Sequence, residues 1–271
     1  MITSHLTDYE PAVRLAAFGV VFTLMALWEL VAPKRRQGIP RGKRWPSNIA
    51  IAVLNTLLLR VVFPMTAVGF AMTVTSKGWG LMSLLGAPTW AIVALSVILL
   101  DLAIYLQHVL THAVPALWRL HRMHHADLEF DVTTGARFHP IEILLSMAFK
   151  FLVIALLGAP AVAVLIFEVL LNATAMFNHS NVQMPHGLDR VLRLLVVTPD
   201  MHRIHHSTIP QETDSNFGFN LPWWDRLFGT YRAQPLAGHD SMSIGVPQFR
   251  NSRELQLDRM LTQPLRKDGS E

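Results

Sequence analysis

The stretch "VILLDLAIYLQHVLTHA", residues 97–113, is mainly apolar, and four of its polar side chains form one stripe. Asp101, Tyr105, His108 and His112 are spaced i, i+4, i+7 and i+11, so they share one face of an α-helix. The other residues are typical of a membrane-spanning helix, which needs about 20 mainly apolar residues. A carboxylate in such a segment is costly unless it has a partner. The stretch therefore predicts a membrane helix whose polar face has a function.

The composition of the whole chain agrees with a membrane protein. Of its 271 residues, 51% are hydrophobic and 15% are charged, and the mean hydropathy is +0.34. A soluble domain carries about 25% charged residues, so lipid is part of the solvent for this chain. The absence of cysteine excludes disulfides and thiolate metal sites. We expect one membrane-embedded domain over residues 1–271, with a motif-bearing core at about 90–232 and a polar C-terminal tail at about 233–271.

Four regions are long and apolar enough to cross a bilayer, at about 13–32, 49–75, 89–112 and 141–178. The fourth contains "GAPA" at residues 158–161, and Gly with Pro breaks helices, so we read it as two helices. Residues 1–12 lack the basic start of a cleavable signal peptide, so the first region is expected to stay as a signal anchor. The chain is predicted to be all-α, an integral membrane bundle of four to five membrane helices.

Basic residues give the orientation of these helices. The run "KRRQGIPRGKR", residues 34–44, holds six of the 23 Lys and Arg residues and lies between apolar segments. This position favours a membrane-flanking loop over a nucleic-acid-binding face, so no nucleic-acid partner is expected. Five crossings place every basic-rich segment on one side of the membrane, which by the positive-inside rule is the cytosol. The chain is thus a predicted multi-pass protein with its N-terminus outside.

The pattern H-x-x-H-H occurs twice, in "WRLHRMHHAD" (residues 118–127) and in "TPDMHRIHHS" (residues 198–207). An Arg follows the first His in both copies, and lipid phosphate or a nearby carboxylate is a possible partner for it. Residues i, i+3 and i+4 share one face of a helix, so each triplet can converge on one point. Together with a pair in the third region and one His in "FNHSN", nine histidines lie in four clusters on the predicted cytosolic side. They are His108, His112, His121, His124, His125, His179, His202, His205 and His206.

Imidazole nitrogens are ligands for Fe, Zn, Cu and Ni. A zinc site takes about four ligands, so nine imidazoles imply at least two metal ions. We therefore predict a cytosolic helical cap that holds a histidine-rich di-metal site, with the nine histidines as its metal ligands and catalytic residues. His139, in "RFHPIE", is either a tenth ligand or a helix-start residue before Pro140. His5, His186 and His239 are read as ordinary histidines.

Four carboxylates are candidates for the surroundings of the cofactor. Metal-bound imidazoles usually donate their second N–H to a carboxylate or a carbonyl. We expect Asp101 to orient a ligand histidine in this way. Asp127 and Asp200, with Asp131, flank the H-x-x-H-H motifs. They have the same role or are ordinary capping and solvated charges, and the sequence leaves both open.

The histidine motifs resemble those of the fatty acid hydroxylase superfamily, which includes sterol desaturases and sphingolipid hydroxylases. The runs "RFHPIE" (residues 137–142), "NHSN" (178–181) and "ETDSNFGFNLPWWDRLFGTY" (212–231) look like its bacterial-type sterol desaturase members. The resemblance covers about residues 90–232, and its set of motifs is highly specific.

The resemblance implies a membrane di-iron oxidoreductase with two Fe ions and O2 as co-substrate, which hydroxylates or desaturates a C–H bond of a sterol, fatty acyl or related lipid. Zn is a possible substitute in purified protein. The ligands of the family map onto the nine clustered histidines. Some members have one more histidine, where this chain has Gln183, so the site uses nine ligands or adds His139. The chain has no room for a fused haem domain, so electrons are expected from a separate ferredoxin- or haem-carrier-like protein with its reductase.

A different class of function, a membrane metal-binding or transport protein without redox activity, also needs clustered ligands. Transporters hold their ions near the bilayer midplane, between helices. Here the histidines gather at one membrane face, and no predicted span has a histidine near its centre. The placement favours the enzyme.

Overall fold

The structure describes residues 2–266, and the regular secondary structure of these residues is helical. Two isolated β-bridges are the extended backbone pairs within this range. The structure is a computed structural model, and its side chains are described for residues 9–266. Its helices are α1 (Ile2–Val31), α2 (Arg41–Val62), α3 (Ala67–Ser76), α4 (Thr89–Ala113), α5 (Pro115–His125), α6 (Pro140–Leu157), α7 (Ala161–Asn178), α8 (His186–Leu192), α9 (Pro199–His205), α10 (Pro210–Thr213), α11 (Trp223–Leu227), α12 (Gly238–Ser241) and α13 (Leu257–Thr262). The all-α prediction is confirmed.

Five segments of the described chain are long and apolar enough to span a membrane. They are Tyr9–Val31, Arg41–Leu84, Thr89–Ala113, Pro140–Leu157 and Ala161–Asn178. Their number agrees with the five predicted crossings, and the chain is a multi-pass membrane protein. Of the predicted polar tail, residues 267–271 lie outside the described residues.

The second predicted crossing, at about 49–75, lies within the apolar segment Arg41–Leu84 and contains two helices, α2 and α3. Helix α2 ends at Val62, and Phe63 is extended, with φ −108° and ψ 110°. The cause is Pro64, whose ring disfavours the helical conformation of the residue before it. A new helix, α3, then begins where the side chain of Thr66 accepts a hydrogen bond from the backbone N of Gly69.

The predicted break at "GAPA" is confirmed and separates α6 from α7. Gly158 ends α6 with φ +68°, in the left-handed region that glycine adopts without strain. Gly80, with φ +85°, crosses this turn so closely that a Cβ on it would lie 2.1 Å from the backbone N of Gly158. Two glycines therefore allow the α6–α7 turn to pack against the loop that follows α3.

Helix α7 is the centre of the bundle and packs against α1, α3 and α4. Its Val164 and Phe167 lie in the main apolar core with Val68, Leu100 and Ile154. Around this core the long helices expose large apolar side chains, among them those of α1 and α2. Exposed apolar surface of that extent is the surface of a protein that faces lipid.

Four charged side chains form a cluster inside the spans, here termed the intramembrane charge cluster: Glu10, Arg14, Lys150 and Glu168. Glu168 of α7 accepts hydrogen bonds from Lys150 Nζ of α6 at 2.7 Å and from Arg14 Nη1 of α1 at 2.8 Å. Arg14 also binds Glu10 at 3.0 Å. The two acids balance the two bases, which lowers the cost of charge in a membrane. The cluster ties α1 to the α6–α7 hairpin.

Candidate metal centre

Four helices end, or nearly end, at their histidines, and this brings the clusters to one end of the bundle. Pro115 and Pro199 occupy the first turns of α5 and α9, where a missing N–H costs nothing, and both helices stop at a histidine. His179 is the C-cap of α7, and His112 lies in the last turn of α4.

The nine predicted ligand histidines gather in two groups, and within each group one ring nitrogen of every histidine lies within 4.8 Å of those of the others. The five-histidine group contains His108, His112, His121, His125 and His205. The four-histidine group contains His124, His179, His202 and His206. Each H-x-x-H-H motif contributes to both groups, because its adjacent last two histidines point to different ones. This division explains why the chain carries the motif twice.

Most of these rings are fixed through Nδ1. The acceptors are Glu142 Oε1 for His121 (2.6 Å), Asp214 Oδ1 for His112 (3.2 Å), and the carbonyls of Phe217 for His108 (2.7 Å), Ser215 for His205 (2.8 Å), Arg137 for His124 (3.2 Å) and Ala175 for His179 (2.7 Å). An acceptor at Nδ1 selects the tautomer with the proton on that atom. The lone pair of Nε2 is then free, and metal-bound histidines are usually held in this way.

The free nitrogens show that the donor set fits metal ions. Nε2 of His121 lies 3.2 Å from Nε2 of His108, and Nε2 of His179 lies 3.2 Å from that of His124 and 3.1 Å from that of His202. When the protons lie on Nδ1, the two Nε2 lone pairs of each facing pair repel each other. A cation bound by both nitrogens would remove this repulsion. His205 Nε2 and both ring nitrogens of His125 are buried without a hydrogen-bond partner among the described residues. Buried polar atoms rarely stay unpaired.

Six of the nine histidines lie outside the spans and have a lowered pKa, so they are neutral at neutral pH, which is the form that binds a metal. Burial, together with neighbouring imidazoles, lowers the pKa of His124, His125, His202 and His206 well below the ordinary value. Burial also lowers the pKa of His179 to about 4 and that of His205 to about 3.

Asp101 does not orient a ligand histidine, contrary to the prediction. It accepts hydrogen bonds from Trp224 Nε1 at 2.8 Å and from the backbone N of Leu221 at 3.3 Å. It lies seven residues before His108, about 10 Å along the helix, so it is too far from the rings. Asp101 instead anchors the segment at residues 221–224 to α4.

Asp127 and Asp131 also pair with a base instead of a histidine. Arg44 donates to Asp127 at 2.8 Å and 2.7 Å and to Asp131 at 2.6 Å, and all three side chains are buried. Burial alone would raise the pKa of Asp127, but Arg44 brings it well below its usual range. Arg44 belongs to the basic run at residues 34–44, so this run is not only a solvated flanking loop.

Asp200 pairs with Arg203, the arginine of the second H-x-x-H-H motif, and with Lys34 Nζ at 3.0 Å. Burial alone would raise the pKa of Asp200, but Arg203 and its other basic neighbours lower it to about 2. The arginine of the first motif, Arg122, donates to the carbonyl of Gln263 at 2.8 Å. The two arginines thus hold a carboxylate and a backbone carbonyl close to the histidine groups.

His139 lies outside both histidine groups. Its Nδ1 accepts a hydrogen bond from the backbone N of Ile141 at 3.2 Å, as the N-cap of α6. Of the two alternatives for His139, the structure therefore supports the one in which this residue starts a helix, and not the one in which it is a tenth ligand.

Three supporting residues were missed by sequence reasoning. Glu142 is the acceptor for His121 and lies beside Pro140, in the first turn of α6. Arg137 is fully buried, and its Nε donates to the carbonyl of Met123 at 2.8 Å. Asp225 accepts from the backbone N of Phe217 at 2.8 Å and so fixes the loop whose carbonyl holds His108. All three are charged residues within apolar or histidine-rich stretches of the sequence, and this feature could have identified them.

The model of the fatty acid hydroxylase family matches residues 93–230, slightly more than half of the chain. The chain belongs to the fatty acid hydroxylase family. The match contains all nine clustered histidines, Glu142 and Asp225. The family, its membrane context and its histidine motifs therefore agree with the resemblance stated from the sequence.

Curated relatives of this family member are lipid hydroxylases and monooxygenases. The ornithine lipid hydroxylase of Rhizobium tropici is 29% identical over 90% of this chain and 75% of its own length. The alkylglycerol monooxygenase of Xenopus tropicalis is 31% identical over 53% of this chain and 30% of its own length. The cholesterol 25-hydroxylase of Rattus norvegicus is 27% identical over 53% of this chain and 47% of its own length. No solved structure gives a significant match.

Proposed function

We propose that this protein is a membrane di-iron monooxygenase that hydroxylates a C–H bond of a lipid. The reaction joins the lipid, O2, two electrons and two protons to give the hydroxylated lipid and water. The observation that carries the proposal is the division of nine histidines, eight of them buried, into groups of five and four. Imidazole suits iron, and the curated relatives are hydroxylases and monooxygenases, so hydroxylation is proposed over desaturation.

Each group of histidines would hold one iron ion, and the two ions, when bound, supply activation of dioxygen and oxidation of the C–H bond. The chain itself provides rigid ligands. Glu142 accepts the Nδ1 proton of His121, and Asp225 holds the loop that accepts the Nδ1 proton of His108. Burial excludes water from the groups, since six of the histidines are fully inaccessible, namely His124, His125, His179, His202, His205 and His206.

The substrate is proposed to be a membrane lipid with a polar headgroup. The ornithine lipid hydroxylase aligns with 90% of this chain, whereas the cholesterol 25-hydroxylase aligns with 53% of it. The apolar helices around α7 would hold the hydrocarbon part, and the histidine groups at their ends would receive the carbon to be oxidised. Comparison of lipid extracts from cells with and without the chain tests this, and a gain of one oxygen atom is expected. A loss of two hydrogens would identify a desaturase instead.

The histidine groups are proposed to face the cytosol, where a separate electron-donor protein, ferredoxin- or haem-carrier-like, would deliver electrons. Lys34, Arg41 and Arg44 lie on the same side as the groups and pair there with Asp200, Glu29 and Asp127. Basic residues concentrate on the cytosolic side of membrane proteins. Protease access to loop tags in inverted and right-side-out vesicles tests the orientation.

One ligand from each group tests the metal site. His205→Ala and His124→Ala are each expected to lower bound iron to about half and to abolish lipid hydroxylation. His186→Ala is the matched control, because His186 is exposed and belongs to neither group. Two irons per chain in both variants would refute the assignment of these ligands. A protein that binds iron but consumes no O2 when it is reduced with lipid present would support metal binding without redox activity.

A further inference from the structure

Seven large apolar side chains are exposed together on the histidine side of the bundle, on α8, the turn after it, and α11. They are Leu188, Val191, Leu194, Leu195, Trp223, Leu227 and Phe228, between 43% and 69% exposed, and are here termed the cap patch. None of them belongs to the five predicted membrane spans. A solvated protein surface rarely exposes so many large apolar residues together, and such a patch marks an interaction site.

The cap patch is one continuous surface because its two parts are hydrogen-bonded to each other. Trp223 Nε1 donates to the carbonyl of Leu194 at 2.7 Å. The backbone N of Val197 donates to the carbonyl of Asn220 at 2.9 Å. Leu188 and Val191 are three residues apart in α8, which places them on one side of that helix.

Contacts with α4 fix the depth of this surface. Trp224 Nε1 donates to Asp101, and the ring of Phe228 stacks on that of Tyr105 with centroids 5.5 Å apart. Asp101 is the central residue of α4, 12 residues from each end of the 25-residue helix. The exposed ring of Trp90 lies at the first turn of α4, where interfacial aromatics are common. A hydrocarbon core of about 30 Å is crossed by about 20 residues, so it extends beyond Tyr105.

We propose that the cap patch is immersed in the lipid leaflet on the histidine side, where its partner is the acyl chains of membrane phospholipid. The hydrogen bonds to Asp101 require α11 to lie beside a part of α4 that is itself within the bilayer. At this level α4 also exposes Leu106 and Leu110, so lipid reaches this depth. Arg190 and Arg226 are exposed next to the patch, and long basic side chains at such positions extend toward the polar lipid headgroups.

Helix α8 with the turn after it, together with α11, therefore forms a membrane-inserted element that does not cross the bilayer. An interfacial element of this kind binds by its buried apolar area together with attraction between basic side chains and anionic lipids. The proposal is independent of which metal the histidines bind and of which side of the membrane is cytosolic, since it uses only depth relative to α4.

Single cysteines provide the test, because the chain has none of its own. Leu195→Cys and Leu227→Cys would each carry an environment-sensitive fluorophore in the full chain, reconstituted in phosphatidylcholine–phosphatidylglycerol nanodiscs. Leu236→Cys is the control, since Leu236 is 72% exposed and lies outside the patch. We expect spin-labelled phospholipids to quench the two patch labels, and iodide to quench them several-fold less than the control label.

Two results would overturn the proposal. Equal quenching by iodide at positions 195, 227 and 236 would show that the patch faces water. Protection from both iodide and spin-labelled lipid would show that protein covers it, as in a second copy of this chain. Val191→Cys repeats the measurement on α8 if either first variant fails to fold.

Discussion

The replacement Glu142→Gln removes the one carboxylate that holds a histidine of the five-histidine group from within the bundle. Glu142 Oε1 lies 2.6 Å from His121 Nδ1, and both residues are buried. A hydrogen bond to a charged group contributes about 1.5–3 kcal/mol. It is roughly twice as strong as a neutral bond, and Gln keeps a neutral acceptor, so we expect a loss of about 1–1.5 kcal/mol. Glu142→Ala leaves no acceptor and loses about 1.5–3 kcal/mol.

These energies convert into metal affinity at about 1.4 kcal/mol per factor of ten. Glu142→Gln should lower the affinity for one of the two bound ions by about 5–10-fold, and Glu142→Ala should lower it by about 10–150-fold. The assay is a titration of the purified, iron-loaded protein with a competing chelator. The second ion, held by the four-histidine group, should dissociate as it does in the wild type.

Glu129→Gln is the matched control, since Glu129 accepts from the backbone N of Gly38 at 2.7 Å and has no histidine partner. Unchanged affinity in both Glu142 variants would refute the role of this carboxylate. An equal weakening of both ions would show that Glu142 supports the fold and not one group of ligands.

Three further outcomes are expected. Arg44→Met leaves Asp127 and Asp131 buried without their base, so the free energy of unfolding should fall by about 3–5 kcal/mol, seen as a lower melting temperature in detergent; a melt equal to the wild type would contradict this. Glu168→Gln should lower the melting temperature and the membrane-inserted yield, and Glu168→Gln with Lys150→Met should restore both, because charge balance returns; failure of the double variant would point to shape instead. Acid should destabilise the metal-free protein below about pH 6.5, because the buried histidines outside the spans have lowered pKa values in the folded state and the unfolded chain binds more protons. A melting temperature that stays constant from pH 7 to pH 5 would contradict this sign.

The sequence pattern predicted the membrane spans and the histidine clusters because both arise from residues that are close together in the chain. Apolar length identified the crossings, and the i, i+3, i+4 spacing placed each triplet on one helical face. The break at Gly158 followed from Gly and Pro, and Pro64 likewise separates α2 from α3 inside an otherwise apolar run.

The partners of the carboxylates were not predictable in the same way, since they lie far apart in the chain. Arg44 is 83 residues from Asp127, and Trp224 is 123 residues from Asp101. Local spacing has no information about such pairs. The basic run was interpreted from its total charge alone. The burial of one of its members, Arg44, depends on tertiary packing, which the total charge does not predict.

The charged partners of the intramembrane charge cluster are synthesised at different times. Arg14 is synthesised 154 residues before Glu168, its partner on α7. At about 5–20 residues per second, this interval is roughly 8–30 s. During that time Glu10, one helical turn away, is the counter-ion already present in the new chain. Glu10 thus balances the charge of Arg14 in the first helix, and the cluster is complete when the α6–α7 hairpin adds Lys150 and Glu168.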